Sequence, residues 1–213
     1  MLGATGAVGG ETLKVLSEHP EVEKLNLLGR REVENISNEN VIQHKVNIFD
    51  PETYNGIIKD YDVAICTLGV GQPTKVSKED FIKIDKTSVI DFAKACKNQG
   101  VKHFQLLGSV GANPKSASHY LRIKGELVEA LKALDFDRLS VFQPSMIITP
   151  TNRYGFSQAL TLAFWPIISP LLFGSFKKYR GIKVAQLGKA IALNSFTNKS
   201  GFKVLTWEDF VKF

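Results

Sequence analysis

Three glycines, at positions 3, 6 and 9 of Met1-Leu2-Gly3-Ala4-Thr5-Gly6-Ala7-Val8-Gly9-Gly10, restrict this chain more than any other stretch. A G-x-x-G-x-x-G loop needs glycine for three reasons. The turn requires positive φ, a pyrophosphate approaches bare backbone, and the following helix packs closely on a sheet. The N-terminus of that helix then faces the phosphates. The stretch therefore reads as a dinucleotide site. Such a loop leaves the end of a buried strand of about five or six residues, yet only Met1 and Leu2 precede Gly3. The expectation is a central first strand that is truncated relative to the natural chain.

The residues after the loop support this reading. Leu13 and Leu16 predict a helix over 11–18 that ends before Pro20, and a short strand comes next over 24–28. That strand runs into Gly29-Arg30-Arg31, where a site preferring NAD usually places an acid to accept from the ribose 2′-hydroxyl. Arg30 and Arg31 suit a 2′-phosphate instead, because a guanidinium forks onto phosphate oxygens that a carboxylate repels. NADP(H) is the expected cofactor.

The next strand is expected over 43–49 and is stopped by Asp50-Pro51. Two roles fit Asp50: acceptor for the adenine amino group, or N-cap of a helix starting at Pro51. Residues 62–68 form a continuous apolar run suited to a buried parallel strand, and Gly69-Val70-Gly71 after it are small enough to pass under the cofactor. The longest helical pattern covers 77–98, with Ser77 and Asp80 as its cap and Phe81, Ile84, Val89, Phe92 and Cys96 inward. Asp85 lies near this apolar face, either at its solvated edge or close to the site. A strand over 103–107 then ends in Gly108-Ser109-Val110-Gly111. In the following helix, Tyr120-Leu-Arg-Ile-Lys124 sets a phenol and an ammonium at i, i+4, side by side. Ile123, Leu127, Leu131 and Leu134 are its buried stripe.

In this order, the stretches 27–31, 62–69, 102–109, 120–126 and 136–144 resemble a short-chain dehydrogenase/reductase of the atypical kind. Within that group the chain is most similar to the Tat-interacting-protein branch, over roughly residues 3–205. The resemblance implies an α/β fold with a doubly wound, mostly parallel Rossmann sheet. It implies NADP-type contacts from Gly3, Thr5, Gly6, Val8, Gly9, Arg30, Arg31, Asp50, Leu68, Gly69, Lys124 and Pro144. It also implies reductase roles for Ser109, Tyr120 and Lys124. There are departures: Gln143-Pro144-Ser145 replaces the Arg-Pro-Gly of relatives, and Asp85 stands where many extended relatives have Asn.

The implied chemistry is hydride transfer from NADPH to a carbonyl carbon while Tyr120 protonates the developing alkoxide. A free phenol, with a pKa of about 10, is a weak acid near neutrality. An adjacent ammonium favours the phenolate, and Lys124 can also hold the nicotinamide ribose. Ser109 donates to the carbonyl oxygen and fixes its direction. The reading is an NADPH-dependent oxidoreductase acting on a small carbonyl compound. Its rival is an NADPH-binding regulatory or sensing module that acts through a protein partner, as some members of this branch do.

The 213 residues suffice for one domain, with a cofactor half over 1–150 and a lid with C-terminal elements over 151–213. Cys66 and Cys96 sit in apolar stretches and form no metal-spaced set with the four histidines, which predicts reduced buried thiols in a cytoplasmic protein and no metal. The net charge of +6 is spread along the chain without a nucleic-acid motif, and suits capture of a phosphate-rich ligand. A sixth strand over 138–142 ends at Pro144. Residues 156–176 are rich in Leu, Phe, Trp and Ile, but Pro166 and Pro170 break any spanning helix. The segment is either a substrate lid, implying a fairly apolar carbonyl compound, or, over 156–180, an apolar face for a protein partner or peripheral membrane contact aided by Lys177, Lys178 and Arg180. A strand leading into a helix over 182–196, a last strand over 202–205 and a short terminal stub complete the chain.

Overall fold

The computed structural model describes residues 1–150 and 172–213. Helix α1 (Ala7–Glu18) leaves the glycine loop directly, with Gly6 as its N-cap, and buries Val8, Leu13 and Leu16. Strands β1 (Leu25–Gly29), β2 (Val41–Lys45) and β3 (Val63–Cys66) come next. The expected 77–98 helix is divided into α2 (Lys78–Ile82), a π-helical turn (Lys83–Thr87) and α3 (Ser88–Asn98). Then come β4 (His103–Leu107), α4 (His119–Lys132), β5 (Arg138–Phe142), β6 (Ile147–Ile148) and β7 (Ile182–Lys183). Helix α5 (Val184–Asn194), β8 (Gly201–Leu205) and α6 (Trp207–Phe210) close the chain.

Every strand pairing among the described residues is parallel. β2 pairs with β1, and β3, β4, β5 and β8 form one ladder in that order. The two parts are joined by Leu2, which bridges Leu28 on one side and Cys66 on the other. Its amide donates to the Ile65 carbonyl at 2.8 Å, and its own carbonyl accepts from Thr67 N–H at 2.9 Å. The glycine loop thus emerges from the middle of the sheet. Behind it the Met1 backbone nitrogen lies 2.6 Å from the Asn26 carbonyl oxygen. A groove runs on from there between β1 and β3, lined by Leu25, Ile57, Tyr61, Val63 and Phe92.

Helices cover both faces, giving a doubly wound α/β domain. Phe92, Phe104, Leu127, Leu131 and Phe136 form the core under α3 and α4, while Leu13, Leu16, Phe142, Leu187 and Ile191 form that under α1 and α5. α1 and α5 touch closely at Gly188, where a Cβ would stand 2.5 Å from Cβ of Glu11. Cys66 and Cys96 are free buried thiols, pushed up by desolvation to about 11 and about 12. Most of the 156–176 segment, and with it the expected lid, lies outside the described residues. In its described end, 172–176, Phe173 and Phe176 are exposed. Among the described residues no helix is long and apolar enough to cross a membrane.

One pairing inside the sheet makes stability depend on pH. Buried His103 has Nε2 2.9 Å from Oγ of Ser140 on β5, and burial beside Arg138 pushes its pKa down to about 3. Well above the unfolded value near 6.5 the ring is neutral in both states. As pH falls through 6.5 the unfolded chain takes a proton that the folded one refuses, so stability drops until the folded value is reached. Between pH 6.5 and 4.5 this costs about 2.3 kcal/mol. Urea denaturation at the two pH values is therefore expected to show a loss larger by that amount in the wild type than in His103→Gln. Equal losses would mean that the ring is protonated without penalty.

Candidate active site

The three glycines divide their tasks. Gly3 has φ +97°, and a Cβ there would lie 2.6 Å from the Leu68 amide nitrogen. A Cβ on Gly9 would overlap the Gly3 carbonyl oxygen. Both positions weld the loop to the end of β3, helped by Thr67 Oγ1, which donates to the Gly3 carbonyl at 3.1 Å. Gly6 differs: a Cβ there meets only the Gly3 oxygen, at 3.3 Å, so its outer face is open backbone at the start of α1.

The cleft in front of this loop is lined by Gly3, Thr5, Gly29, Arg30, Arg31 and Leu68. Of these, all but Gly29 are among the expected cofactor contacts. Arg30 and Arg31 are exposed, and neither is in an ion pair among the described residues. Val8 is different, because its side chain is buried in the core under α1. The cleft also contains Val33, Gln43 and Ile48, which no motif in the sequence marks. Gln43 holds Val33 in place, accepting from its amide at 2.7 Å and donating to its carbonyl at 3.0 Å. Asp50 takes the capping role: its Oδ1 accepts from Glu52 N–H at 3.1 Å, which turns the carboxylate into the Pro51–Thr53 turn. It does not itself line the cleft, and the capping bond uses one of its two carboxylate oxygens.

Ser109, Tyr120 and Lys124 come from one connection. Gly108 N–H donates to the Phe142 carbonyl at 2.7 Å and Val110 N–H to that of Pro144 at 3.0 Å, pinning Ser109 to the end of β5. α4 is capped by Ser118, whose Oγ accepts from Leu121 N–H at 3.5 Å. It lies hard against the loop after Ser109, because a Cβ on Gly125 would overlap the Asn113 and Pro114 backbone. Tyr120, in its first turn, is half-buried with its ring centroid 5.6 Å from that of Phe81. Lys124 is buried one turn later beside Gly69, where a Cβ would stand 3.7 Å from Lys124 Nζ, in ordinary contact.

Asp85 is the residue whose place the sequence left open. It is 1% exposed, with Oδ1 2.7 Å from Lys124 Nζ and Oδ2 accepting from Val70 N–H at 2.7 Å. A solvated edge is thereby ruled out. The i, i+4 steps from Phe81 to Asp85 to Val89 put it in line with the apolar stripe, a signal present in the sequence. Nearby, Lys86 pairs with Glu126 at 2.6 Å and holds that carboxyl below the usual range.

The chain is similar to several known proteins. The family model described as "Semialdehyde dehydrogenase, NAD binding domain" matches residues 1–121. Protein HTATIP2 of Rattus norvegicus is 35% identical over 150 residues, spanning 70% of this chain and 62% of the rat protein. FMP52 of Candida albicans, named as mitochondrial, is 31% identical over 172 residues, spanning 78% of this chain and 75% of that one. The chain thus matches somewhat less than two thirds of the length of the rat relative. Among solved structures, a UDP-N-acetylglucosamine 4-epimerase from Methanobrevibacter ruminantium superposes with a TM-score of 0.73 at 17% identity, over 96% of this chain and 74% of that one. WbmH of Bordetella bronchiseptica, in complex with NAD+, gives 0.70 at 16% identity, over 97% and 74%. These likenesses show the fold.

The relatives also correct one expectation. FMP52 proteins of several fungi are named mitochondrial, so buried reduced thiols do not make this a cytoplasmic protein. Reduced thiols fit more than one compartment. With its glycine cradle at the centre of a parallel sheet and relatives at 30–35% identity, the chain belongs to the HTATIP2/FMP52 family of NAD(P)-binding, oxidoreductase-like Rossmann proteins.

Proposed function

We propose that this protein is an NADPH-dependent reductase of a small carbonyl compound, with Tyr120 as proton donor, Ser109 orienting the carbonyl and Lys124 serving both cofactor and phenol. The observation that carries this reading is the Lys124 ammonium, buried against Gly69 at the C-terminal end of β3 and one turn from Tyr120. Asp85 takes one of its three N–H donors, which leaves two for a ribose hydroxyl and a developing oxyanion at the sheet end that also carries the glycine loop.

The residues fit the cofactor. Gly6 offers open backbone to a pyrophosphate, and Thr5, Gly29 and Leu68 line the cleft beside it. Arg30 and Arg31 stand at its rim, where a 2′-phosphate would meet them. Bound NADPH supplies hydride to the carbonyl carbon. Tyr120 gives its proton to the oxygen as negative charge develops there, Lys124 compensates the resulting phenolate, and Ser109 donates to the same oxygen. Lys124 has N–H donors beyond the one facing Asp85 for the nicotinamide ribose.

Calorimetric titration with NADPH and NADH tests the cofactor assignment. Arg30→Ala is expected to weaken NADPH roughly 10- to 100-fold, the worth of a charge-assisted pair, and to leave NADH nearly unchanged. Equal losses for both would remove the 2′-phosphate contact. A panel of aldehydes and ketones, followed by NADPH absorbance, tests turnover. NADPH binding without any reduction would favour the second reading, a binding module acting through a protein partner, for which exposed Phe173 and Phe176 beside Lys177 and Lys178 provide a surface.

A further inference from the structure

We infer that Asp85 is a positioning residue, which fixes the Lys124 ammonium at the end of β3 and ties the backbone under the cofactor to it. This rests on the assignment of Lys124 to the cofactor and proton-donor site. Asp85 uses its two carboxylate oxygens on two different elements. Oδ1 meets Lys124 Nζ of α4 at 2.7 Å, and Oδ2 accepts from Val70 N–H of the loop leaving β3, also at 2.7 Å. A third element, the π-helical turn Lys83–Thr87, carries the carboxylate itself. Three segments that meet at the site are therefore joined through one side chain.

Gly69 makes this close approach possible. A Cβ there would stand 3.1 Å from Asp85 Oδ1, tighter than ordinary contact, so any larger residue would press on the pair. Lysine has a four-carbon stem with freely turning bonds, and an unheld ammonium would sample many positions. A charge-assisted hydrogen bond to a carboxylate that is itself locked selects one of them. Because an ammonium carries three N–H donors, the Asp85 contact leaves two for other acceptors. The neighbouring pair, Lys86 with Glu126, also links the π turn to α4 but is partly exposed, with side-chain accessibilities of 29% and 33%. It spans the same elements without facing Gly69 and supplies a control.

The test is a double-mutant cycle on NADPH affinity, measured by calorimetry well below each variant's melting temperature. Asp85→Leu is expected to weaken NADPH about tenfold in the wild-type background and less than about twofold in Lys124→Met, since a residue acting only through Lys124 has nothing left to act on. Asp85→Asn, which keeps an acceptor for the ammonium, should recover most of the affinity. Lys86→Met should leave it unchanged. The Asp85→Leu, Lys124→Met chain removes both charges together and so avoids a lone buried charge; if Asp85→Leu alone fails to fold, Asp85→Ala, which lets water reach the ammonium, replaces it in both backgrounds with the same expectation. A purely structural pair would lower melting temperatures while leaving NADPH affinity unmoved, or would show equal losses in both backgrounds, and either result overturns the Asp85 role alone. Lys124→Met with unaltered NADPH affinity would overturn the site assignment together with it.

Discussion

Tyr120→Phe is expected to reduce NADPH-dependent carbonyl reduction by about 10²- to 10⁴-fold, the usual contribution of a placed general acid. NADPH affinity should stay within about twofold, since the ring body and its packing on Phe81 are retained. The hydroxyl is the only group removed, so a folding defect is not expected. The measurement pairs a steady-state assay on any reduced member of the carbonyl panel with a calorimetric NADPH titration of the same sample. Full residual activity would remove Tyr120 from the mechanism and leave Ser109 as the only hydroxyl assigned to the carbonyl oxygen. Activity lost together with NADPH affinity would instead place the phenol at the cofactor.

The second large effect separates folding from binding within the glycine loop. Gly9→Ala pushes a methyl group into the Gly3 carbonyl oxygen and to 2.7 Å from Thr67 Oγ1, with backbone of the central sheet behind both. Nothing there can move without shifting the ladder around Leu2, so a loss of about 3 kcal/mol is expected from overpacking. Gly6→Ala is a different case. Its φ of −78° suits any residue, and the Gly3 oxygen is 3.3 Å from the new methyl group. Alanine is a poorer N-cap than glycine, worth at most about 1 kcal/mol. NADPH affinity should nonetheless drop about 100-fold, because the methyl group stands where backbone must approach the pyrophosphate. Thermal melts and titrations of both variants check this. A Gly6→Ala chain that binds NADPH like the wild type would reduce the loop to a structural turn.

Both effects depend on features that are visible to different degrees in the chain itself. β4 and β5 are readable to the residue, because each is a short stretch with large apolar side chains bounded by clear breakers. The glycine spacing, Arg30 and Arg31 after β1, and the i, i+4 pair of Tyr120 and Lys124 are equally readable, since each is a relation among neighbours along the chain. The helix over 77–98 is legible as an apolar stripe but not as three segments. Its π-helical turn adds no residue type that distinguishes it from a regular helix.

Local pattern thus determined which elements form, which face of each is apolar, and which residue types end at the nucleotide edge. Only the tertiary structure decided that Asp85 meets Lys124, that Ile48 and Gln43 wall the cleft, and that Leu2 joins the two halves of the sheet. Most of these contacts unite residues far apart in sequence. Their geometry comes from strand order and from how closely α4 and the glycine loop can approach the sheet, and a carboxylate buried away from water persists only where such packing brings a cation to it.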